Sequence, residues 1–165
     1  MRTAACPGCG AAVADRDGPV HAYLFAAPGC WHLYGSLQDW KNSLVGDEGT
    51  DTAQQVVDSY AAQHASNPDR RNVQSVAVHL MSLCASLEHR TAGVRLRSLL
   101  GGWTQHDYPE LVPRPVAFPI TVRDVAAADG AHRVRVAASW ARSTWMAWSD
   151  HHDEVRGWVA ATGDL

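Results

Sequence analysis

Cys6-Pro7-Gly8-Cys9-Gly10 opens a chain of 165 residues that has only four cysteines. Two thiolates separated by two residues can grip one tetrahedral metal ion, because the proline sets the first turn and the glycines let backbone amides turn toward sulfur. The competing reading of a Cys-x-x-Cys is a redox pair, which usually sits where a strand feeds a helix in a βαβ unit. No apolar strand is expected before Cys6, and Gly10 suits a metal knuckle better than a helix start. Zinc is the expected cofactor.

Half a site binds metal weakly, so two more ligands must come from Cys30, Cys84 or the nine histidines. Cys84 falls inside the apolar stripe of a predicted helix and reads as a small buried hydrophobe. Cys30 and His64 lie equally far from Asp47 on either side. Two helices joined by a short turn near Asp47 pair antiparallel and set these residues side by side. The expected ligands are therefore Cys6, Cys9, Cys30 and His64, with His21, the nearest histidine in the chain, as the alternative fourth.

Further polar residues gather on the same predicted helices. Asp58, Tyr60 and Gln63 surround His64, and an Asp or Gln beside a metal-bound imidazole commonly accepts its second N–H; solvent-facing positions for Asp58 and Gln63 fit the pattern equally well. Ser75, His79, Ser82 and Ser86 recur at helical spacing and read either as the lining of a cleft or as a wet face. His151 and His152 flank a tryptophan stripe, and because neighbours on a helix diverge by about 100 degrees, one can face inward while the other faces water. Asp58, His79, His151 and His152 are the candidate catalytic groups. Signatures of the common hydrolase, nucleotide-binding and dehydrogenase sites are absent.

The elements that must position these residues are helical. Apolar residues from Cys30 to Leu44 recur at helical spacing; a second helix, capped by Thr50 or Asp51, runs to His64; a third, with Asn67 as cap and Pro68 as its first residue, carries Val73, Val76, Ala77, Leu80, Leu83, Cys84 and Leu87 inward. A short helix around 94–100 follows, then a Pro-rich extended loop over 103–120, a short helix capped by Thr121, and one long helix over 131–161. Residues 1–29 read as loop. The expected fold is all-α, one domain over 1–165: a bundle of four or five helices behind an irregular N-terminal loop tied by metal.

A mass of 17.9 kDa, 46% hydrophobic and 19% charged residues are ordinary for a globular chain able to bury a core. The net charge is −3, and the basic residues, all arginine except Lys41, form no run longer than Arg70-Arg71. No nucleic-acid partner is expected. No apolar run approaches the ~18 residues of a membrane span and no hydrophobic leader begins the chain, so a cytoplasmic protein with reduced thiols is expected. Oligomeric state is left open.

Taken in order, Cys6-Pro7-Gly8-Cys9-Gly10, Asp17-Gly18-Pro19-x-His21-x-Tyr23, Pro28-x-Cys30-Trp31-x-x-Tyr34, Asp58-x-Tyr60-x-x-Gln63-His64, Gln74-Ser75-Val76-Ala77-Val78-His79-Leu80 and Trp148-x-x-His151-His152 resemble an uncharacterised bacterial family, domain of unknown function 5946. The resemblance implies no reaction. It marks His64, His79, His151 and His152 as motif positions. Members often read Gln-His-Pro, where Ala65 stands here, and many carry another histidine on the second helix, where this chain has Ala53 and Gln54.

Two functions of different class remain. The first is a small-molecule metalloenzyme, hydrolase- or transferase-like, whose zinc keeps an open position in a pocket between the N-terminal loop and the bundle, with Asp58 or a histidine moving the proton. The second is a non-catalytic binding or regulatory protein whose zinc is closed and structural. Whether His151 or His152 points into the metal site discriminates them.

Overall fold

The computed structural model describes residues 2–65, 69–90, 93–103, 107–111 and 117–163. The chain is mostly helical, in keeping with the all-α expectation. Two short strands, β1 (Thr3–Ala5) and β2 (Ala12–Ala14), come first, and then the helices α1 (Pro28–Ser36), α2 (Gln38–Ser43), α3 (Gly46–Ala62), α4 (Arg70–Glu88), α5 (Gly93–Leu99), α6 (Val122–Ala127), α7 (Gly130–Ala147) and α8 (His152–Ala161). No helix among the described residues is long and apolar enough to cross a membrane.

The N-terminal segment, expected as loop, is in part a hairpin. Strands β1 and β2 pair antiparallel with Thr3 opposite Ala14 and Ala5 opposite Ala12. A short strand does precede Cys6, contrary to expectation, but it turns back into β2 instead of feeding a helix. The knuckle is therefore the hairpin's turn, and the βαβ setting of a redox pair is absent from it. Alanine-rich strands of three residues carry too little periodicity to read from sequence.

The expected first helix is two. α1 starts at Pro28, whose fixed φ suits the first helical position, and α2 starts after Leu37, which is buried and caps the break. α3 begins at Gly46, earlier than Thr50 or Asp51, with Asp47 and Glu48 in its first turn where the helix dipole favours acids. α4 is capped by Asp69, whose carboxylate accepts from the Arg71 N–H at 2.9 Å. Asn67 and Pro68, the expected cap and first residue, lie outside the described residues, as do Pro113 and Pro115 of the Pro-rich stretch.

α3 is the hub. It packs on α4 and on α7, and its last two turns, through Asp58, Ser59, Tyr60, Ala61 and Ala62, are buried all round. On one side Val56 and Tyr60 join a core with Cys6, Cys9, Cys30, Val122, Val125 and Trp140. On the other, Ala62 joins a core built from α4, α7 and α8, including Leu80, Leu83, Trp145 and Trp148. Cys84 is fully buried in that second core, as its place in the apolar stripe predicted.

The expected single long C-terminal helix breaks at Trp148. The His151 N–H bonds the Trp148 carbonyl at 2.9 Å in a 3₁₀ turn over Ser149–His151, where Ser and Asp side chains compete with helical hydrogen bonding. The turn redirects α8 onto α4. Glu88 of α4 clamps it there, accepting from Arg156 Nε and Nη2 and from the Trp145 indole at 2.8–2.9 Å. The Arg156 guanidinium holds the Glu88 carboxyl down to about 2.

α6 is short and relies on its cap: Asp124 reaches back to accept from the Thr121 N–H at 2.8 Å. Asp124→Ala is expected to lower stability by about 1 kcal/mol in urea unfolding at neutral pH, with metal content unchanged.

Candidate metal centre and the neighbouring polar cluster

His64 occupies the first turn of chain beyond α3. Its backbone N–H bonds the Ala61 carbonyl at 3.0 Å, and its ring Nδ1–H donates to the Tyr60 carbonyl at 2.5 Å, one of the acceptors a helix end leaves over. That bond fixes the tautomer and aims the Nε2 lone pair away from the helix. Nε2 lies 3.5 Å from Cys6 Sγ and 3.4 Å from Cys30 Sγ, and Cys9 Sγ lies 3.7 Å from Cys30 Sγ. All four donor atoms are within 4.8 Å of one another.

These spacings test whether the four residues fit a metal. An ion bonded at about 2.3 Å to sulfur and about 2.0–2.1 Å to nitrogen in a tetrahedron requires edges of about 3.8 Å between sulfurs and about 3.6 Å between sulfur and nitrogen. The three edges of 3.4, 3.5 and 3.7 Å fit. The hairpin supplies Cys6 and Cys9, the first turn of α1 supplies Cys30, and the end of α3 supplies His64. The structure thus brings together the expected four ligands, buried at 2%, 4%, 0% and 0% exposure.

The surroundings prepare the sulfurs for a cation. The Ala27 N–H donates to Cys6 Sγ at 3.4 Å and the Tyr60 hydroxyl to Cys30 Sγ at 3.8 Å. Donation from Cys30 and Cys9 pulls the Cys6 pKa well below the ordinary thiol value, and the same contact pushes Cys30 up, since one proton between neighbouring sulfurs leaves one thiolate and one thiol. Burial pulls the His64 pKa down, but hydrogen bonding to the Cys6 and Cys9 sulfurs outweighs it and pushes it up to about 9. Burial raises the Tyr60 phenol, with Cys30 adding to it, so Tyr60 donates as a neutral hydroxyl.

His21, the alternative fourth ligand, is not in the cluster. Its ring packs edge-on against Tyr23 and Trp31 at 4.4 and 5.2 Å between centroids. Burial, and then the neighbouring His79, lowers its pKa.

Asp58 and Gln63 are fully interior, which removes the solvent-facing alternative for both. Neither holds the His64 ring. Gln63 donates to the Ile120 carbonyl at 2.8 Å and to Thr144 Oγ1 at 3.0 Å, joining α3 to α7 and to the segment before α6. Asp58 faces α4, where it accepts from His79 Nδ1 at 2.7 Å and Ser82 Oγ at 2.6 Å, and it also accepts from Gln54 Nε2 one turn earlier on α3 at 2.8 Å. The serine and histidine stripe of α4 is therefore an interior polar seam at His79 and Ser82. It is not a wet face there.

His151 and His152 sit at the α7–α8 junction. The His152 ring stacks on Trp145 at 3.8 Å between centroids, with Nε2 donating to the Trp145 carbonyl at 2.9 Å. His151 packs against Trp148, and its Nδ1 lies 3.3 Å from Glu154. Their aromatic partners belong to the α4–α7–α8 core, whereas Cys6, Cys9 and Cys30 belong to the other.

Asn72 escaped sequence reasoning. Fully buried, it donates through Nδ2 to both the Tyr23 and His64 carbonyls at 2.8 Å, tying the segment after the hairpin and the turn that carries His64 to α4. An asparagine in the first turn of a helix carries no signal of such a role, because both partners are distant backbone carbonyls.

Fold and site together define a helical protein with a buried site of three cysteines and one histidine that can hold a metal ion. The model of a family of unknown function, DUF5946, matches residues 4–149, and the chain belongs to that family. The match holds all four donors and the Asp58–His79 pair; His151 and His152 lie beyond its end. No curated protein and no solved structure matches the chain.

Gly8 lets the knuckle approach His64. A Cβ there would stand 2.5 Å from both His64 Cδ2 and the Phe25 carbonyl oxygen. Gly8→Ala is expected to displace the imidazole, costing about 1–3 kcal/mol of stability and most of the bound metal, read by calorimetry and elemental analysis.

Proposed function

We propose that this is a zinc-stapled helical protein that binds a small molecule, its zinc being closed and structural. Three thiolates and one imidazole in a tetrahedron suit Zn²⁺, which needs no redox partner and takes its geometry from its ligands. The observation that carries the reading is that four buried protein donors stand at spacings a tetrahedral ion needs, a full complement that would leave no position for water or substrate. The staple's purpose is mechanical: it holds the β1–β2 hairpin and α1 to the end of α3, and so sets Tyr23 beside α4. There a cleft of about 420 Å³, a size small ligands use, opens between Tyr23, Tyr108 and the exposed edge of α4.

The metalloenzyme reading needs an open zinc position with a proton-moving group beside it. The placement of His151 and His152 in the tryptophan core speaks against them in that role. Asp58 and His79 pair with each other on the α4 side of α3, and His79 lines the cleft.

Purified without chelator, the protein is expected to carry one zinc per chain, lost in Cys30→Ser and His64→Ala and retained in His151→Ala and His152→Ala. The cobalt-substituted protein should show a four-coordinate thiolate spectrum that added azide or imidazole leaves unchanged. A spectrum that responds to those ligands reveals an exchangeable position and returns the enzyme reading.

A further inference from the structure

The four donors of the metal centre are not held alike. The His64 ring donates from Nδ1 to the Tyr60 carbonyl, the Tyr60 hydroxyl donates to Cys30 Sγ at 3.8 Å, and the Ala27 N–H donates to Cys6 Sγ at 3.4 Å. Among the described residues Cys9 takes no hydrogen bond from outside the cluster; its sulfur meets the Cys30 sulfur at 3.7 Å. A hydrogen bond donated to a thiolate stabilises its lone pairs and blunts their attack on other atoms. Cys9 is therefore the sulfur that keeps the most nucleophilic character when all three are ionised by a bound cation.

Cys9 is also the donor nearest to solvent. A cleft of about 550 Å³, room enough for a small molecule, lies over the knuckle and is bounded by residues 6–10, Phe118 and the start of α6. Cys6 and Cys9 line it at 2% and 4% exposure, whereas Cys30 and His64, both at 0%, do not. Gly10 belongs to the same wall. A Cβ there would meet nothing within 4 Å among the described residues, so the turn carries no packing neighbour at that point.

The other polar side chains of the cleft are Thr121, Arg123 and Asp124. Thr121 and Asp124 are engaged with each other, the carboxylate accepting from the Thr121 N–H at 2.8 Å and from its hydroxyl at 3.1 Å. Arg123 is exposed and makes no ion pair or side-chain hydrogen bond among the described residues, so it is the uncommitted charge of the wall. A guanidinium presents its donors as a planar fork that matches a carboxylate.

We propose that Cys9 is a modification site: its thiolate, reached through this cleft, is alkylated by small carboxylates that bear an electrophilic carbon, with Arg123 pairing the carboxylate and so choosing the reagent. The inference rests on the closed-zinc reading above, since a metal-bound cysteine stays ionised at neutral pH. The step is a displacement. A Cys9 Sγ lone pair forms the S–C bond while the leaving group departs with the electron pair of the bond that breaks, and no oxidant or reductant takes part. The sulfur becomes an uncharged thioether, a poorer donor for zinc than a thiolate, so the modification weakens the staple that holds the β1–β2 hairpin to α1 and the end of α3.

The test uses the full zinc-loaded chain with iodoacetate as the probe and the uncharged iodoacetamide as control. Intact mass gives the rates, and peptide mass spectrometry locates the adducts. The first iodoacetate adduct is expected on Cys9, with Cys84 untouched in the other core. Arg123→Gln, at an exposed position outside the ligand set, should keep the zinc, slow iodoacetate about tenfold and leave iodoacetamide unaffected. The Cys9 adduct should yield its zinc to a colorimetric chelator faster than the unmodified chain does. A first adduct on Cys6, Cys30 or Cys84 would overturn the proposal, as would an iodoacetate rate that Arg123→Gln leaves unaltered or slows no more than that of iodoacetamide. So would zinc held as firmly after alkylation, or no reaction of the folded chain under conditions that alkylate the unfolded one. Zinc content and the cobalt spectrum, taken before reagent is added, report on the closed site alone, so failure of the Cys9 assignment and failure of the closed-zinc reading are told apart.

Discussion

Three thiols and an imidazole converge in a buried space, and a shared cation would reconcile them. Without one, the sulfurs compete for protons: lowering the Cys6 thiol raises Cys30, and His64 is drawn toward its charged form to balance the thiolate. Each of these states leaves charge buried among like groups, which is costly in a low-dielectric interior. A divalent ion at the centre of the tetrahedron would replace the protons and remove the conflict. The hairpin, the first turn of α1 and the end of α3 all meet at this centre.

The last two turns of α3 distribute that constraint. Asp58 turns to α4, Tyr60 to Cys30, Gln63 to Thr144 and the Ile120 carbonyl, and His64 to the cysteines. Four polar side chains within seven residues of one helix would be a liability if any lacked a partner. Each instead fixes a different neighbour at a set distance. A helix buried all round has no solvent face by which to choose its rotation, so polar bonds supply the orientation that hydrophobic burial alone leaves degenerate. An aromatic stack follows the same path, from His64 through Tyr60 to Tyr34 and Trp31 and on to His21 and Tyr23, carrying packing from the metal centre toward the cleft.

The two hydrophobic cores divide the work. One surrounds Cys6, Cys9 and Cys30 and contains Trp140; the other is filled by Leu80, Leu83, Cys84, Trp145 and Trp148. The break after α7 serves the second, because a continuous helix would carry α8 past α4 instead of onto it. His151 and His152 then find their place as aromatic packing and hydrogen-bonding groups at that corner, and neighbouring positions in the chain need not share a task with the metal.

The sequence by itself determined the local features: helical periodicity over α3 and α4, the knuckle with its proline and glycines, the burial of Cys84, and Thr121 as the start of α6. These depend on contacts within a few residues, which propensity and spacing encode. It also reached the four clustered donors, although the antiparallel pairing expected to join Cys30 and His64 is not the packing observed: α1 packs on α6, α3 packs on α4 and α7, and the two donors meet only where the first turn of α1 reaches the end of α3. Only tertiary structure decided the rest. The β1–β2 hairpin, the breaks at Leu37 and Trp148, the turning of Asp58 to His79 and not to His64, and the bridging by Asn72 all depend on partners far along the chain. A side chain's direction about a fully buried helix is set by whichever neighbour satisfies it, and no local pattern names that neighbour.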